Sequence, residues 1–340
     1  MSSCGLKTPV VDVLLPAIGE LPWVEATLCS LSRQTQPADI VTLIDDGVED
    51  RKRLTRLGNR YLGPRFRVIE NRGKGISSAL NTGVTQSDSL WIARMDCDDV
   101  AHPERLAKQL SWLTPRADDV VACGTQVWLT DGEGRRLQRS QYPESHEAIQ
   151  AQRLERSCFA HPTLLVRRDA LLQVPYRSAL DGAEDVDLML RLGERWRVGN
   201  LPQTLLDYRL HVGQVAQGYR ARQTALQELA FRLSEMRTAV GADVLDGSPE
   251  LAEAFVNWRL TDPGYADARQ ALTGLRYLLS HLRGRSLRAA AGCLRQTLAA
   301  RPWQRDTRRW LQRLVASAPG QLRHDLLPAS LAALALPRGE

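Results

Sequence analysis

A chain of 340 residues, 43% hydrophobic and 25% charged, can bury a sizeable core and hold two domains, which excludes a disordered or fibrous protein. The net charge of +6 is unevenly placed: residues 1–219 carry 27 Lys+Arg and 28 Asp+Glu, residues 220–340 carry 18 Arg, no Lys and 11 acids. The basic excess therefore belongs to the last third and gives no ground for nucleic-acid binding by the rest. No run of about 18 apolar residues predicts a membrane span. The N-terminal "MSSCGLKTPVVDVLLPAIG" lacks the layout of a signal peptide. Six scattered cysteines without a CxxC pair fit a reduced, cytoplasmic protein.

In chain order, "VVDVLL" (10–15) reads as a buried strand and "LPWVEATLCSLSRQ" (21–34) as a helix with one apolar face. "DIVTLID" (39–45) and "FRVIE" (66–70) read as the next strands, "ISSALNTGV" (76–84) as a helix, and "SLWIAR" (89–94) as a fourth strand. "PERLAKQLSWL" (103–113) predicts a helix with Pro103 in its first turn, where the missing N–H costs nothing, and "DVVACG" (119–124) a fifth strand. This alternation predicts a mostly parallel, Rossmann-like sheet with helices on both faces, whose ligands bind beyond the C-terminal strand ends. Asp45 and Asp46 end the second strand and Asp96, Asp98 and Asp99 follow the fourth, so both sets are expected on one rim. After about residue 220 the strand signals give way to helices rich in Leu, Ala and Arg. The expected division is a domain over 8–218, with halves 8–115 and 116–218, followed by an Arg-rich helical region over 219–340.

The stretch "MDCDDVAHPERL" places three carboxylates within four positions directly after an apolar run. Two carboxylates at i and i+2 after a strand can converge on Mg²⁺ or Mn²⁺, which prefer oxygen ligands and often add substrate phosphates. The bland reading is a solvated turn. The core strand before it and the second acidic pair on the same rim favour the cation, with Asp96 and Asp98 as ligands. Asp99 and Pro103 are expected to start the next helix.

These residues resemble the bacterial family 2 glycosyltransferases of the GT-A fold, of the kind that build exopolysaccharide, capsule or O-antigen. The resemblance rests on residues 71–110 leading into the DxDD turn, then "CFAHPTLLVRRDALLQVPY", "AEDVDLMLRL" and "LPQTLLDYRLH", in that order, and covers about residues 9–215. It implies an inverting transfer from a nucleotide-sugar donor to a glycan or lipid-linked acceptor, with Mg²⁺ or Mn²⁺ as cofactor. Residue by residue, it implies nucleotide-side roles for Pro16 and Asp46, a place near ribose and metal for Asp96, and metal ligation for Asp98. Asp46 equally fits a turn acid before Gly47. Lys74, with Arg72, lies where the family keeps basic residues near the nucleotide, and each also fits a solvated loop. Asp185 matches the general base that takes the acceptor hydroxyl's proton, and Glu184 would shape the acceptor site. The rival reading of both is acids in the first turn of a helix, which is also the reading of Asp187. His211 matches the block that approaches metal and diphosphate, Arg209 reads as a diphosphate clamp or a strand-face charge, and His161 as a shaper of the acceptor loop.

Departures narrow this. Ile18 stands where the family usually has an aromatic facing the base, and Val48 where it usually has Ser. The QxxRW signature of processive synthases is missing, which points to addition of a single sugar. Between residues 281 and 323 there are ten Arg and one acid, Asp306, in stretches able to form amphipathic helices with Trp. They read as a peripheral contact with an anionic membrane on the inner face of the cytoplasmic membrane, or as a soluble bundle of biased composition. Rival functions are a nucleotidyltransferase, against which "AEDVDLMLRL" speaks, and a catalytically inactive sugar- or membrane-binding module.

Overall fold

The computed structural model describes residues 11–210 and 217–261. In chain order these form β1 (Val11–Gly19), α1 (Val24–Ser32), β2 (Ile40–Val48), α2 (Arg51–Leu62), β3 (Phe66–Glu70), α3 (Ile76–Thr85), β4 (Trp91–Arg94), β5 (Val100–Ala101) and α4 (Arg105–Leu113). They continue with β6 (Val120–Thr130), β7 (Arg136–Arg139), α5 (His146–Gln152), β8 (Leu165–Arg167), α6 (Arg168–Gln173), α7 (Glu184–Arg195), β9 (Arg197–Arg209), α8 (Gln217–Val240) and α9 (Leu251–Leu260).

The strands form one sheet in the order β3-β2-β1-β4-β8-β6-β9-β5, with β7 paired to β6. The first four are mutually parallel; β8 runs antiparallel to both β4 and β6, and β6 and β9 are again parallel. The expected α/β architecture, a mostly parallel Rossmann-like sheet, is therefore present, with β8 reversed at its centre and β5 and β7 also reversed. Alternate residues of β1 face opposite sides, as strand geometry demands. Val13, Leu15 and Ala17 join a core with Leu28 of α1, Leu54 of α2 and Leu106 of α4. Leu14 joins a second core with Leu80 of α3, Ala170 of α6 and Leu188 of α7. Burying one leucine such as Leu14 or Leu28 contributes about 2 kcal/mol, so these layers fix the sheet.

Helix α2 was not legible as such, because "RKRLTRLGNRYL" is so charged. It buries only Leu54, Gly58 and Leu62, and Asp50 caps it by accepting from Arg53 N at 2.8 Å. Gly58 is required, since a Cβ there would lie 2.1 Å from the Phe66 ring.

Two compact units emerge from the fold. The first holds residues 11–210 and 222–256 of the described chain, and the second holds 217–221 and 257–261, the outer turns of α8 and α9. In the second, Thr261 N donates to Asn257 O at 3.1 Å, closing the end of α9. No helix among the described residues is long and apolar enough to cross a membrane. The basic stretch 281–323 and His211 lie outside the described residues.

Candidate active site

The acidic turn is aimed by β4. Leu14 pairs with Arg94 in parallel register, and Met95 N continues the ladder to Leu14 O at 3.2 Å. Asp45 pairs with Ala17 towards the same end of the sheet, although β2 runs on through Asp46 to Val48 and does not stop at these acids as expected. Beyond Met95 the chain turns, and carboxylate oxygens of Asp96, Asp98 and Asp99 lie within 4.8 Å of one another. Arg94, buried at the strand end, donates from Nη1 to Asp96 Oδ2 at 2.6 Å. Burial opposes the charge of Arg94, yet Asp96, aided by Tyr176 and Glu184, holds it charged above its ordinary value. Burial likewise pushes the Asp96 carboxyl up; Arg94 counters, while Asp98 and Asp185 add to the rise.

Asp99 does not start the next helix, as its position had suggested. The short strand β5 intervenes, and the carboxylate is fully buried, with Oδ1 accepting Arg209 N at 2.9 Å. Its Oδ2 is a buried oxygen without a hydrogen-bond partner. Burial and then the charges of Asp96 and Asp98 push Asp99 well above the usual carboxylate range. Three hard oxygen donors close together, one of them a buried orphan, fit Mg²⁺ or Mn²⁺. Cys97, between the acids, turns inward to the Pro16 carbonyl at 3.5 Å, and burial pushes its thiol above its usual range, so it is no ligand.

Arg209 supports this turn from below. Its Nε donates to Asp98 O at 2.9 Å and its Nη1 to Gly132 O at 2.8 Å, while the guanidinium lies 5.4 Å from the Trp23 ring centroid. These Nε and Nη1 bonds tie Arg209 to the backbone of the acidic turn and of the turn after β6.

The second acidic set heads α7. Glu184 is buried, and its Oε2 accepts Gly182 N at 2.7 Å. Burial, then the neighbouring Asp185 charge, pushes Glu184 up to about 7. Asp185 is also raised by burial, against the Val186 N–H, which donates to its Oδ1 at 2.8 Å, and against the charge of Arg94. His161 Nδ1 lies 3.8 Å from Glu184 and its Nε2 is 3.0 Å from the Tyr176 hydroxyl. Burial and the nearby Arg94 hold His161 well below its usual value, so it is neutral and makes no ion pair with Glu184. Asp187, two residues on, is gripped by Arg177 and Arg191 and is structural.

Arg94 ties the two sets together. It bonds Asp96 directly, and its charge reaches Glu184 and Asp185. Asp185 in turn raises Asp96. The acids after β4 and those heading α7, about ninety positions apart in sequence, thus share one electrostatic site.

Nearer the rim of β2, Asp46 accepts Asn71 Nδ2 at 2.7 Å and Gly75 N at 2.9 Å, so both its oxygens shape the loop before α3. Asn71 Oδ1 accepts Gly73 N and Ser78 Oγ and organises that loop. Gly75 has φ +86°, and a Cβ there would meet Asp181 Oδ2 at 2.1 Å. Asp181 accepts Ser77 N at 3.2 Å, tying α3 to the turn that leads into α7. Lys74 is exposed on this loop, Pro16 is half-buried on β1, and Ile18 is 66% exposed where an aromatic was expected. Arg94, Asn71 and Asp181 were missed by sequence reasoning. For Arg94 a signal existed: a charge closing an apolar strand must find a buried partner.

The profile of glycosyl transferase family 2 matches residues 12–174, a span that takes in the acidic turn and ends before α7. The chain is 32% identical over 200 residues to the O-antigen biosynthesis glycosyltransferase WbnJ of Escherichia coli, covering 56% of this chain and 75% of that one. It is 33% identical over 189 residues to the amylovoran biosynthesis glycosyltransferase AmsE of Erwinia amylovora, covering 54% and 70%. Among solved structures, the fold resembles that of the mannosyltransferase PcManGT from Pyrobaculum calidifontis in complex with GDP-Man and Mn²⁺. That match has a TM-score of 0.53 at 18% identity, covering 97% of this chain and 86% of that one.

Proposed function

The chain belongs to glycosyl transferase family 2 and is a glycosyltransferase of the polysaccharide-biosynthesis type, and from that premise we propose how it works. It moves one sugar, with inversion and a divalent cation, from a nucleoside-diphosphate sugar to a glycan or polyprenyl-linked acceptor of the cell surface. The convergence of two acidic sets around Arg94 carries this reading. Residues 8–218 carry the catalytic residues, 8–115 for the donor and 116–218 for the acceptor.

Asp98 and Asp96, joined by His211, are the residues that would hold Mg²⁺ or Mn²⁺, and the buried Asp99 oxygen favours a cation there. Such a cation supplies neutralisation of the charge that gathers on the leaving diphosphate. Asp185 accepts the acceptor hydroxyl's proton as that oxygen attacks C1 from the face opposite the diphosphate, whose bond to C1 breaks. A base raised by burial is the expected tuning for this work. Glu184, fixed by the Gly182 N–H, shapes the acceptor side. Asp46 with Asn71 sets the loop that offers Lys74 to the donor, and Pro16 lines the nucleotide side. Arg209 serves the donor through the turn it supports. Residues 281–323, which lie outside the described residues, are the candidate for a peripheral contact with an anionic membrane, the alternative being a soluble helical bundle.

The test uses the full chain and a panel of nucleoside-diphosphate sugars with and without Mn²⁺. The right donor at a hundredfold above its Kd stabilises by about 2.7 kcal/mol, a rise of roughly 5 to 10 °C in melting temperature. Asp185→Asn is expected to cut transfer by at least about 10²-fold while keeping that rise. Transfer surviving this substitution would refute the role of Asp185.

A further inference from the structure

Helix α7, whose first turn carries Glu184 and Asp185, is held from outside by a segment that no motif marks. Asp187 is buried and bonded by Arg177 and by Arg191, the latter through Nε at 2.8 Å. The same Arg177 donates through Nη1 to both oxygens of Asp243 at 3.0 Å and to Asp246 at 3.2 Å, in the segment after α8. Asp243 is also bonded by Arg237 of α8, and Arg237 Nε reaches Glu194 in the last turn of α7 at 2.6 Å. Ser234 of α8 donates to the same Glu194 at 2.6 Å. The chain Asp187–Arg177–Asp243–Arg237–Glu194 therefore leaves α7 near its head and returns to it at its tail.

Apolar packing runs beside this circuit. Val186 and Leu190 of α7 pack with Ala230 of α8. Gly182, whose N–H anchors Glu184, has φ +107°, and a Cβ there would lie 3.3 Å from Gln223 and 3.6 Å from Leu226, both on α8. Helix α8 thus lies against the turn that delivers the two acids.

We propose that α8 from Arg222 onward and the Asp243 segment serve the catalytic site, and that Arg177 is a positioning residue for Asp185. The circuit fixes the height and rotation of α7 and so the reach of Asp185 towards an acceptor hydroxyl. This rests on the reading of Asp185 as the base. Removing Arg177 leaves Asp187 and Asp243 buried with fewer counter-charges, and Asp187 lies in the first turn of α7, two residues from Asp185.

The experiment compares full-length Arg177→Met, Arg177→Lys and Asp243→Asn with wild type in transfer kinetics, in melting temperature, and in the melting shift caused by Mn²⁺ plus donor. A misplacement of about 1 Å costs about 10²-fold, so Arg177→Met is expected to lower kcat by roughly that factor with donor KM and the ligand-induced shift unchanged. Arg177→Lys, which keeps the charge, should recover part of the loss. Asp243→Asn, which removes one link and leaves the Asp187 pair, should lose less and serves if Arg177→Met does not fold. Wild-type kcat in folded Arg177→Met or Asp243→Asn overturns the proposal. So does a loss of donor binding in step with lost transfer, which is the signature of general unfolding. Asp185→Asn in the same assay separates the two readings: an inactive Asp185→Asn beside a normal Arg177→Met refutes only the positioning role. An active Asp185→Asn refutes the base and its positioning together.

Discussion

The turn after β4 and the head of α7 each crowd carboxylates into a buried place, and they relieve the crowding by different means. At the turn, Arg94 satisfies one oxygen of Asp96 and the Arg209 N–H one oxygen of Asp99, but Asp99 Oδ2 stays unpaired and three carboxylates face one another within 4.8 Å. At the head of α7, Glu184 and Asp185 each accept a backbone N–H, and Asp187 is matched by two arginines. Burial raises the affinity of Glu184 and Asp185 for a proton, as it does for Asp96 and Asp99, but no carboxylate oxygen at the head of α7 is a buried orphan. In the function proposed above, the first region would receive a cation and the second would exchange a proton. A metal-assisted transfer with a general base needs both capacities in one site, and Arg94 holds them together.

Removing a donor oxygen breaks the comparison most sharply. Asp98→Asn should weaken Mn²⁺ binding by more than about tenfold and transfer with it, since even partners behind a metal ligand cost 10- to 100-fold. Mn²⁺ titration followed by melting temperature checks this. Asp98→Asn should leave the Glu184–Asp185 pair undisturbed, while Asp96 and Asp99, which the Asp98 charge helps to raise, should titrate lower than in wild type. An unchanged Mn²⁺ titration would mean the turn is only a turn.

Arg94→Met comes next. It removes the buried partner of Asp96, and breaking a buried pair costs about 3 kcal/mol or more. It also makes the acidic turn more negative. The melting temperature should therefore fall, and saturating Mn²⁺ should raise it by more in the variant than in wild type. A smaller Mn²⁺ rise in Arg94→Met would show that Arg94 builds the cation site instead of competing with its charge.

Which of these features could be read from the sequence follows from their range along the chain. The DCDD turn was legible because its cause is local: an apolar strand followed at once by acids. The alternating strands and helices were legible for the same reason, through the burial of Leu14 and Val13 on opposite faces. Asp185 needed the resemblance, since acids in the first turn of a helix are ordinary. Asp99 was misread because its partner, Arg209 N, lies 110 positions away on β9. Asp46 fits two roles by sequence, and the bonds from Asn71 and Gly75 to its oxygens come from 25 and 29 positions away, beyond any local pattern. The circuit from Arg177 to Asp243 spans 66 positions, and no periodicity announces it.

The smallest expected effect concerns the proton side alone. Glu184 sits at about 7 in the folded chain, above its ordinary value of 4.5, because burial and Asp185 disfavour its charge. A folded-state value above the unfolded one means that the native state binds the extra proton. The stabilisation is then complete below the ordinary glutamate range and is lost as pH rises towards about 7. Glu184→Gln carries no titrating group at that position and keeps an oxygen to accept the Gly182 N–H. Its melting temperature should therefore gain on that of wild type as pH is raised from about 5 to about 8, with most of the change complete near 7. Asp185 shifts in the same direction, and losing the adjacent Glu184 charge can only ease that shift in the variant, which works in the same sense. A difference that stays flat with pH would show that Glu184 titrates as an ordinary surface acid. The head of α7 would then store no proton, and the contrast with the cation-seeking turn would fall.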